Sequence, residues 1–144
     1  MEMNKVVKFR LGEEYFAISV EEVKEVVKSQ NITRIPNAPP HVLGVMDLRG
    51  DVCTIIDPKV LLNITSSFND EKSRVIVLDI GDKSVGIRVD EVISVDDVAP
   101  DQVETDVDTS QYTKGIIKNE VGDRVELVIW LDAEKLVKGH IQSI

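Results

Sequence analysis

The stretch Gly44-Val45-Met46-Asp47-Leu48-Arg49-Gly50-Asp51-Val52-Cys53-Thr54-Ile55-Ile56-Asp57-Pro58 holds two apolar runs hinged on Arg49-Gly50-Asp51. Both runs are too short for helices, and the glycine between them favours a β-hairpin. Side chains alternate along a strand, so Met46 and Leu48 share one face while Val45, Asp47 and Arg49 share the other. Arg49 is then either a solvated turn residue or a cation held at a strand end by Asp47 or Asp57. In the second case a paired guanidinium can organise a recognition surface. Beyond the hairpin, Asp57 is placed to cap a short helix with Pro58 at its first position, and Val60, Leu61 and Ile64 give that helix its apolar stripe.

Upstream, residues 5–11 alternate, with Val7, Phe9 and Leu11 on one side and Lys8 and Arg10 on the other. Gly12-Glu13-Glu14 turns this run into a second one, whose Phe16, Ile18 and Val20 face inward. Val23, Val26 and Val27 then fall at helical spacing, so a short turn of helix is expected there, weakened by its β-branched residues. Pro36-Asn37-Ala38-Pro39-Pro40 enforces a loop before the opening hairpin. Downstream, residues 65–73 read as an exposed linker, and residues 74–80 return as a strand that turns at Gly81-Asp82-Lys83 and comes back through Val85, Ile87 and Val89.

Here the chain repeats itself. The turns at Gly12 and Gly81 lie 81 − 12 = 69 residues apart, and their neighbours align without gaps: Ile18 with Ile87, Val20 with Val89, Glu22 with Glu91, Val23 with Val92, Val26 with Val95. Gly44-Val45 answers to Gly115-Ile116, and Ile55-Ile56-Asp57-Pro58-Lys59 to Trp130-Leu131-Asp132-Ala133-Glu134. Four features in the same order in both halves favour duplication over chance, with copies at about residues 5–64 and 74–139. Each copy is too small for a large barrel, so each is expected to form a small curled sheet of roughly five short strands. The acidic stretch around Asp101, Glu104, Asp106 and Asp108 lacks the glycine turn of a calcium loop and reads as a solvated connector. Asp132 through Gly139 reads as a short terminal helix.

Composition narrows the function. The 144 residues are 42% hydrophobic, enough for one compact domain or two subdomains sharing a core. A net charge of −9 opposes binding to a phosphate backbone. The N-terminus lacks the pattern of a signal peptide, no run has the length of a membrane span, and Cys53 sits alone in an apolar run, all of which suits a reducing cytoplasm. His41 and His140 lack a neighbouring nucleophile motif, and neither a phosphate-binding glycine loop nor zinc spacing occurs, so neither catalysis nor a cofactor or metal is expected. A duplicated β module without catalytic groups reads as a docking protein, with Val20, Val23, Val26 and Val27 either lining a groove between the halves or packed as core. Glu22, Glu25 and Arg49 would form its charged rim.

The chain also resembles the CheW family of bacterial chemotaxis coupling proteins. The likeness runs through Glu14-Tyr15-Phe16-Ala17-Ile18, Glu22-Val23-Lys24-Glu25-Val26, Thr33-Arg34-Ile35-Pro36-Asn37, Gly44-Val45 with Leu48-Arg49-Gly50, then Val85-Gly86-Ile87-Arg88-Val89-Asp90, Lys114-Gly115-Ile116 and Leu131-Asp132. It departs at Thr54, where the family usually has proline, at Pro58 after Asp57, where leucine is common, and at Asp47, where asparagine is frequent. The resemblance implies an all-β fold with short helices: one domain, residues 1–144, of two interleaved SH3-like five-stranded β-barrel subdomains. It also implies a non-catalytic adaptor, cytoplasmic and recruited to membrane-associated arrays, that joins the cytoplasmic tips of methyl-accepting chemoreceptors to the regulatory domain of the histidine kinase CheA. The receptor-docking positions carried over are Val23, Glu25, Gly44, Arg49 and Gly86, and the kinase-docking positions are Val26 and Val27. The kinase's own regulatory domain shares the fold; the lack of phosphoacceptor, ATP-binding and receiver segments favours a free-standing coupler. A small-ligand-binding barrel is the reading from another class.

Overall fold

The computed structural model describes residues 3–29, 31–67, 71–81, 83–105 and 110–138. In chain order the elements are β1 (Asn4–Leu11), β2 (Glu14–Ser19), a 3-10 turn (Val20–Glu22), β3 (Val23–Lys28), β4 (Val42–Leu48), β5 (Asp51–Ile56), α1 (Pro58–Leu61), β6 (Arg74–Ile80), β7 (Lys83–Val89), β8 (Glu91–Val98), a 3-10 turn (Pro100–Gln102), β9 (Val103–Glu104), β10 (Thr113–Val121), β11 (Arg124–Leu131) and α2 (Ala133–Lys138). The expected hairpins form in register, with Phe9 opposite Phe16 in the first and Met46 opposite Cys53 in the opening one. Asp57 accepts from the Lys59 N–H at 2.9 Å with Pro58 leading α1, and Asp132 accepts from the Lys135 N–H at 3.0 Å ahead of α2. Gly139, His140, Asp106 and Asp108 lie outside the described residues.

Two sheets result, a six-stranded one in the order β8-β1-β2-β11-β10-β9 and a five-stranded one in the order β3-β6-β7-β5-β4. Each draws on both halves of the chain. The hairpin β1–β2 takes β8 on one side and β11 on the other; β6–β7 takes β3 and β5. The second-hairpin strands join in parallel, Ala17 opposite Trp130 in one sheet and Gly86 opposite Ile55 in the other. The sixth strand, β9, matches a single bridge in the other sheet, Thr33 with Val45, whose N–H and C=O groups exchange two 2.8 Å bonds.

Three apolar clusters follow from strand alternation. Val75 and Val77 of β6 join Met46, Cys53 and Ile55 inside the five-stranded sheet, while Ile76 and Leu78 turn to the opposite face. There they meet Phe9, Leu11, Phe16 and Ile18 from the six-stranded sheet, with Leu131 and Leu136 completing a core shared by the two. A third cluster, Val6, Ala17, Ile117, Val128 and Trp130, fills the six-stranded sheet. Burying a large aliphatic or aromatic side chain removes about 1.5–3 kcal/mol of unfavourable exposure. Separating the sheets would return many such side chains to water, so the shared core holds the two sheets together.

One expectation fails. Residues 23–27 are a strand, not a helix: a 3-10 turn over Val20–Glu22 absorbs the change of direction, and β3 then pairs with β6, with a register shift between Val23 and Glu25. The β-branched residues that weakened the helix favour the strand, and the bulge produced the misleading spacing. The acidic connector is also shorter than expected, because Val103–Glu104 pairs with Ile116 and Ile117 as β9.

Candidate functional site

The tip of the β4–β5 hairpin carries Arg49 in the left-handed region, at φ 52°. A non-glycine residue is uncommon there and needs local support. Asp47 supplies it, since its Oδ1 accepts from the Gly50 N–H at 3.1 Å. Asp47 is therefore the brace of the turn, and Asp57 is engaged at α1, so neither is the arginine's partner. That partner is Glu25 of β3, whose Oε1 receives the Arg49 Nη2 donor. The pair joins β3 to the hairpin across the seam where the five-stranded sheet curls shut. Arg49 is 66% exposed and Glu25 26%. The guanidinium bond holds the Glu25 carboxyl below its ordinary value, and the carboxylate in turn raises Arg49.

Three of the expected receptor positions fall on one row across the sheet: Glu25 is opposite Val77, Val77 opposite Gly86, Gly86 opposite Ile55, and Ile55 opposite Gly44. Residues far apart in sequence are thus brought into line, with Arg49 latched to the row's first member. The two glycines are buried. Gly44 has φ 150°, and a Cβ there would stand 2.1 Å from the Thr33 carbonyl oxygen, so glycine is what lets the returning chain close the barrel. At Gly86 a Cβ would come within 2.5 Å of Val75 Cγ1.

The corresponding row of the other sheet runs Ser94, Lys8, Ala17, Trp130, Gly115. Gly115 faces the Glu104 carbonyl as Gly44 faces that of Thr33, but serine stands in place of Glu25, and the turn between β10 and β11 has no residue matching Arg49. The paired charge belongs to one half alone.

Around the seam, Val23 is half-buried against the shared core and Val27 against the barrel interior, while Val26 points outward at 41% exposure. Val20 also packs on the shared core, and Glu22 accepts from the Glu134 N–H at 3.1 Å at the start of α2, so neither forms a free groove wall. A further group carries no mark in the local sequence. Lys59 and Asp90 form an ion pair at 2.8 Å, each 2% exposed, and Asp90 also accepts from the Gly12 N–H at 2.6 Å. Only its place beside the Gly12 turn, on another element, reveals its role; no local motif marks it.

Two curled sheets on a common core, with a charged latch on one seam, define a double-barrel protein-docking scaffold. Among the described residues no cluster of metal-ligating side chains occurs, and no helix is long and apolar enough to cross a membrane. Residues 5–140 match the model of the CheW-like domain, and the chain belongs to that family of non-catalytic chemotaxis scaffolds. It is 36% identical over 123 residues to the chemotaxis protein CheW of Bacillus subtilis, covering 81% of this chain and 78% of that one. With the chemotaxis protein CheW of Klebsiella aerogenes it is 34% identical over 141 residues, covering 94% and 82%. The crystal structure of the scaffolding protein TtCheW from Thermoanaerobacter tengcongensis superposes with a TM-score of 0.83 at 28% identity, covering 94% of this chain and 88% of that one.

Proposed function

We propose that this protein is an adaptor that couples the cytoplasmic tips of methyl-accepting chemoreceptors to the regulatory domain of the histidine kinase CheA, working in the cytoplasm at membrane-associated signalling arrays. The observation that carries the reading is the Arg49–Glu25 latch: an exposed, pre-formed charge pair on a rigid seam, present in one half and absent from its counterpart. Held by its partner and by the Asp47 brace, the guanidinium meets a receptor with little conformational entropy left to lose. The receptor-docking set is Val23, Glu25, Gly44, Arg49 and Gly86, with Glu25 and Arg49 making the polar contacts and the buried glycines fixing the backbone beneath them. Val26 and Val27 form the kinase-docking set, Val26 through its exposed side chain and Val27 through the strand it anchors.

The same reading takes residues 1–144 as one domain of two interleaved barrels derived by duplication, supported by five strands in matching order in each sheet, with β9 answering to the Thr33–Val45 bridge, and by cross-strand rows that correspond. The test is co-sedimentation of the protein with a receptor cytoplasmic fragment and the kinase. The folded protein should carry kinase into the receptor pellet. A pellet whose kinase content does not depend on this protein would overturn the proposal.

A further inference from the structure

The chain passes from the six-stranded sheet to the five-stranded one between β2 and β3, and returns between β7 and β8. An acid paired with a lysine stands at each crossing: Glu22 with Lys114 at the first, Asp90 with Lys59 at the second. The second pair is sealed in the core. The first is nearer to water, with Glu22 17% and Lys114 35% exposed, and it guards the crossing that leads into the latch, since Glu25 lies three residues beyond Glu22.

A bulge aims Lys114 at this crossing. The register of β10 against β11 shifts between Thr113 and Gly115, which leaves Lys114 as the extra residue. Its Nζ donates to Ser19 Oγ at 3.1 Å, stands 5.5 Å from the centre of the Trp130 ring and lies 3.5 Å from Glu22 Oε1. Trp130 Nε1 donates to the same Ser19 Oγ at 3.2 Å. Glu22 divides its carboxylate. Its Oε2 receives the Glu134 N–H at the start of α2, whereas Oε1 is shielded from water and accepts no hydrogen bond among the described residues, so the Lys114 ammonium is the charge that balances it. The 3-10 turn adds only the bond from the Val23 N–H to the Val20 carbonyl, with no side chain capping its start. Its direction therefore depends on what holds Glu22. β4 has a bulge at the corresponding place, but Leu43 occupies it and packs into the barrel interior.

We infer, resting on the adaptor reading for the consequence at the receptor, that Lys114 is a positioning residue for the docking seam: by holding Glu22 it sets the direction in which β3 leaves the crossing, and with it the place of Glu25 in the Arg49 latch. Without the ammonium, a shielded carboxylate oxygen is left uncompensated and turns toward water, taking the start of β3 with it.

The test compares Lys114→Met, Lys114→Arg and Glu22→Gln in the full chain. Side-chain NMR titration of Glu25 needs no receptor, and the charges that set its carboxyl are Arg49 and Lys24, so a change on loss of Lys114 reports position. The Glu25 midpoint should rise toward 4.5 in Lys114→Met and in Glu22→Gln, and no further in the double variant. Lys114→Arg, whose guanidinium can still reach Glu22, should keep the wild-type midpoint. Trp130 is the single tryptophan, and its indole N–H resonance should shift in Glu22→Gln, which alters neither Trp130 nor Ser19. Lys114→Met should also weaken binding to a receptor cytoplasmic fragment about threefold or more, and Lys114→Arg should restore it. A wild-type Glu25 midpoint in Lys114→Met, whatever happens to its urea midpoint, would overturn the inference, as would failure of arginine to restore what methionine loses. If Lys114→Met does not fold, Glu22→Gln decides by the same titration. If the wild type itself does not bind the receptor fragment, the adaptor reading fails, and the Glu25 titration alone decides the role of Lys114.

Discussion

At the scale of single residues, the sequence places Arg49 at a turn and leaves open whether it is solvated or paired, and the partner it finds, Glu25, is not among the acids near it in sequence. Asp47 and Asp57 are the acids near Arg49 in sequence; Glu25 lies 24 residues away and reaches it only because the sheet curls. The chain near Arg49 says that a turn exists, and nothing local says which strand it will meet. Glu25 should titrate below the ordinary 4.5, and in Arg49→Ala its midpoint should rise back toward that value, as read by side-chain NMR. The sign follows from linkage: a lowered folded value favours the fold above the unfolded value and loses that contribution as pH falls through the folded one. Cys53 behaves in the opposite sense. Burial pushes its thiol from 9.0 up to about 11, so its stabilising contribution is complete below pH 9 and declines as pH rises toward 11. A disulfide-exchange reagent at pH 8 should leave the native thiol unmodified and label it quickly in urea; rapid labelling of the native protein would show that the barrel interior is open.

The elements differ in how much of them the sequence discloses. Hairpins and caps are local, and Gly12, Gly81, Asp57 and Asp132 all take the turn or cap position that their spacing predicts. The departures Thr54 and Pro58 are accommodated for equally local reasons: Thr54 sits in a strand paired on both sides, where a backbone N–H can serve, and Pro58 takes the first turn of α1. Val23, Val26 and Val27 have helical spacing yet lie in a strand, because the bulge between Val23 and Glu25 mimics that spacing while the valines themselves favour the strand. Barrel closure was legible only as an unexplained pair of glycines. Gly44→Ala should cost about 3 kcal/mol or more, since both φ and the Thr33 carbonyl oppose a side chain, whereas Gly50→Ala, with φ 92° but open space around it, should cost about 1 kcal/mol. Urea unfolding of the two variants decides it, and equal losses would mean that closure at Thr33 is not tight.

For the whole molecule, repetition along the chain was visible but the exchange between halves was not. Nothing in either copy specifies that its first hairpin will join the other copy's second one, because the parallel contacts of Ala17 with Trp130 and Gly86 with Ile55 are made only when both halves are present. The Lys59–Asp90 pair belongs to the same level, tying α1 of one half to the end of β7 and, through Gly12, to the first hairpin. Lys59→Met leaves a buried carboxylate without its cation and should cost about 3–5 kcal/mol, lowering the midpoint of a single cooperative transition; a midpoint within error of the wild type would show that water reaches the pair. Such a latch between halves suits a scaffold that, as proposed, presents the Arg49 surface at a fixed angle. The most direct measurement of that role is kinase phosphorylation in reconstituted receptor, kinase and adaptor assemblies, comparing the wild type with Arg49→Ala. The wild type should raise kinase activity in a receptor-dependent manner, and the variant, folded with an unchanged urea midpoint, should lose most of that increase together with receptor co-sedimentation. Full activation by the folded variant would contradict the account.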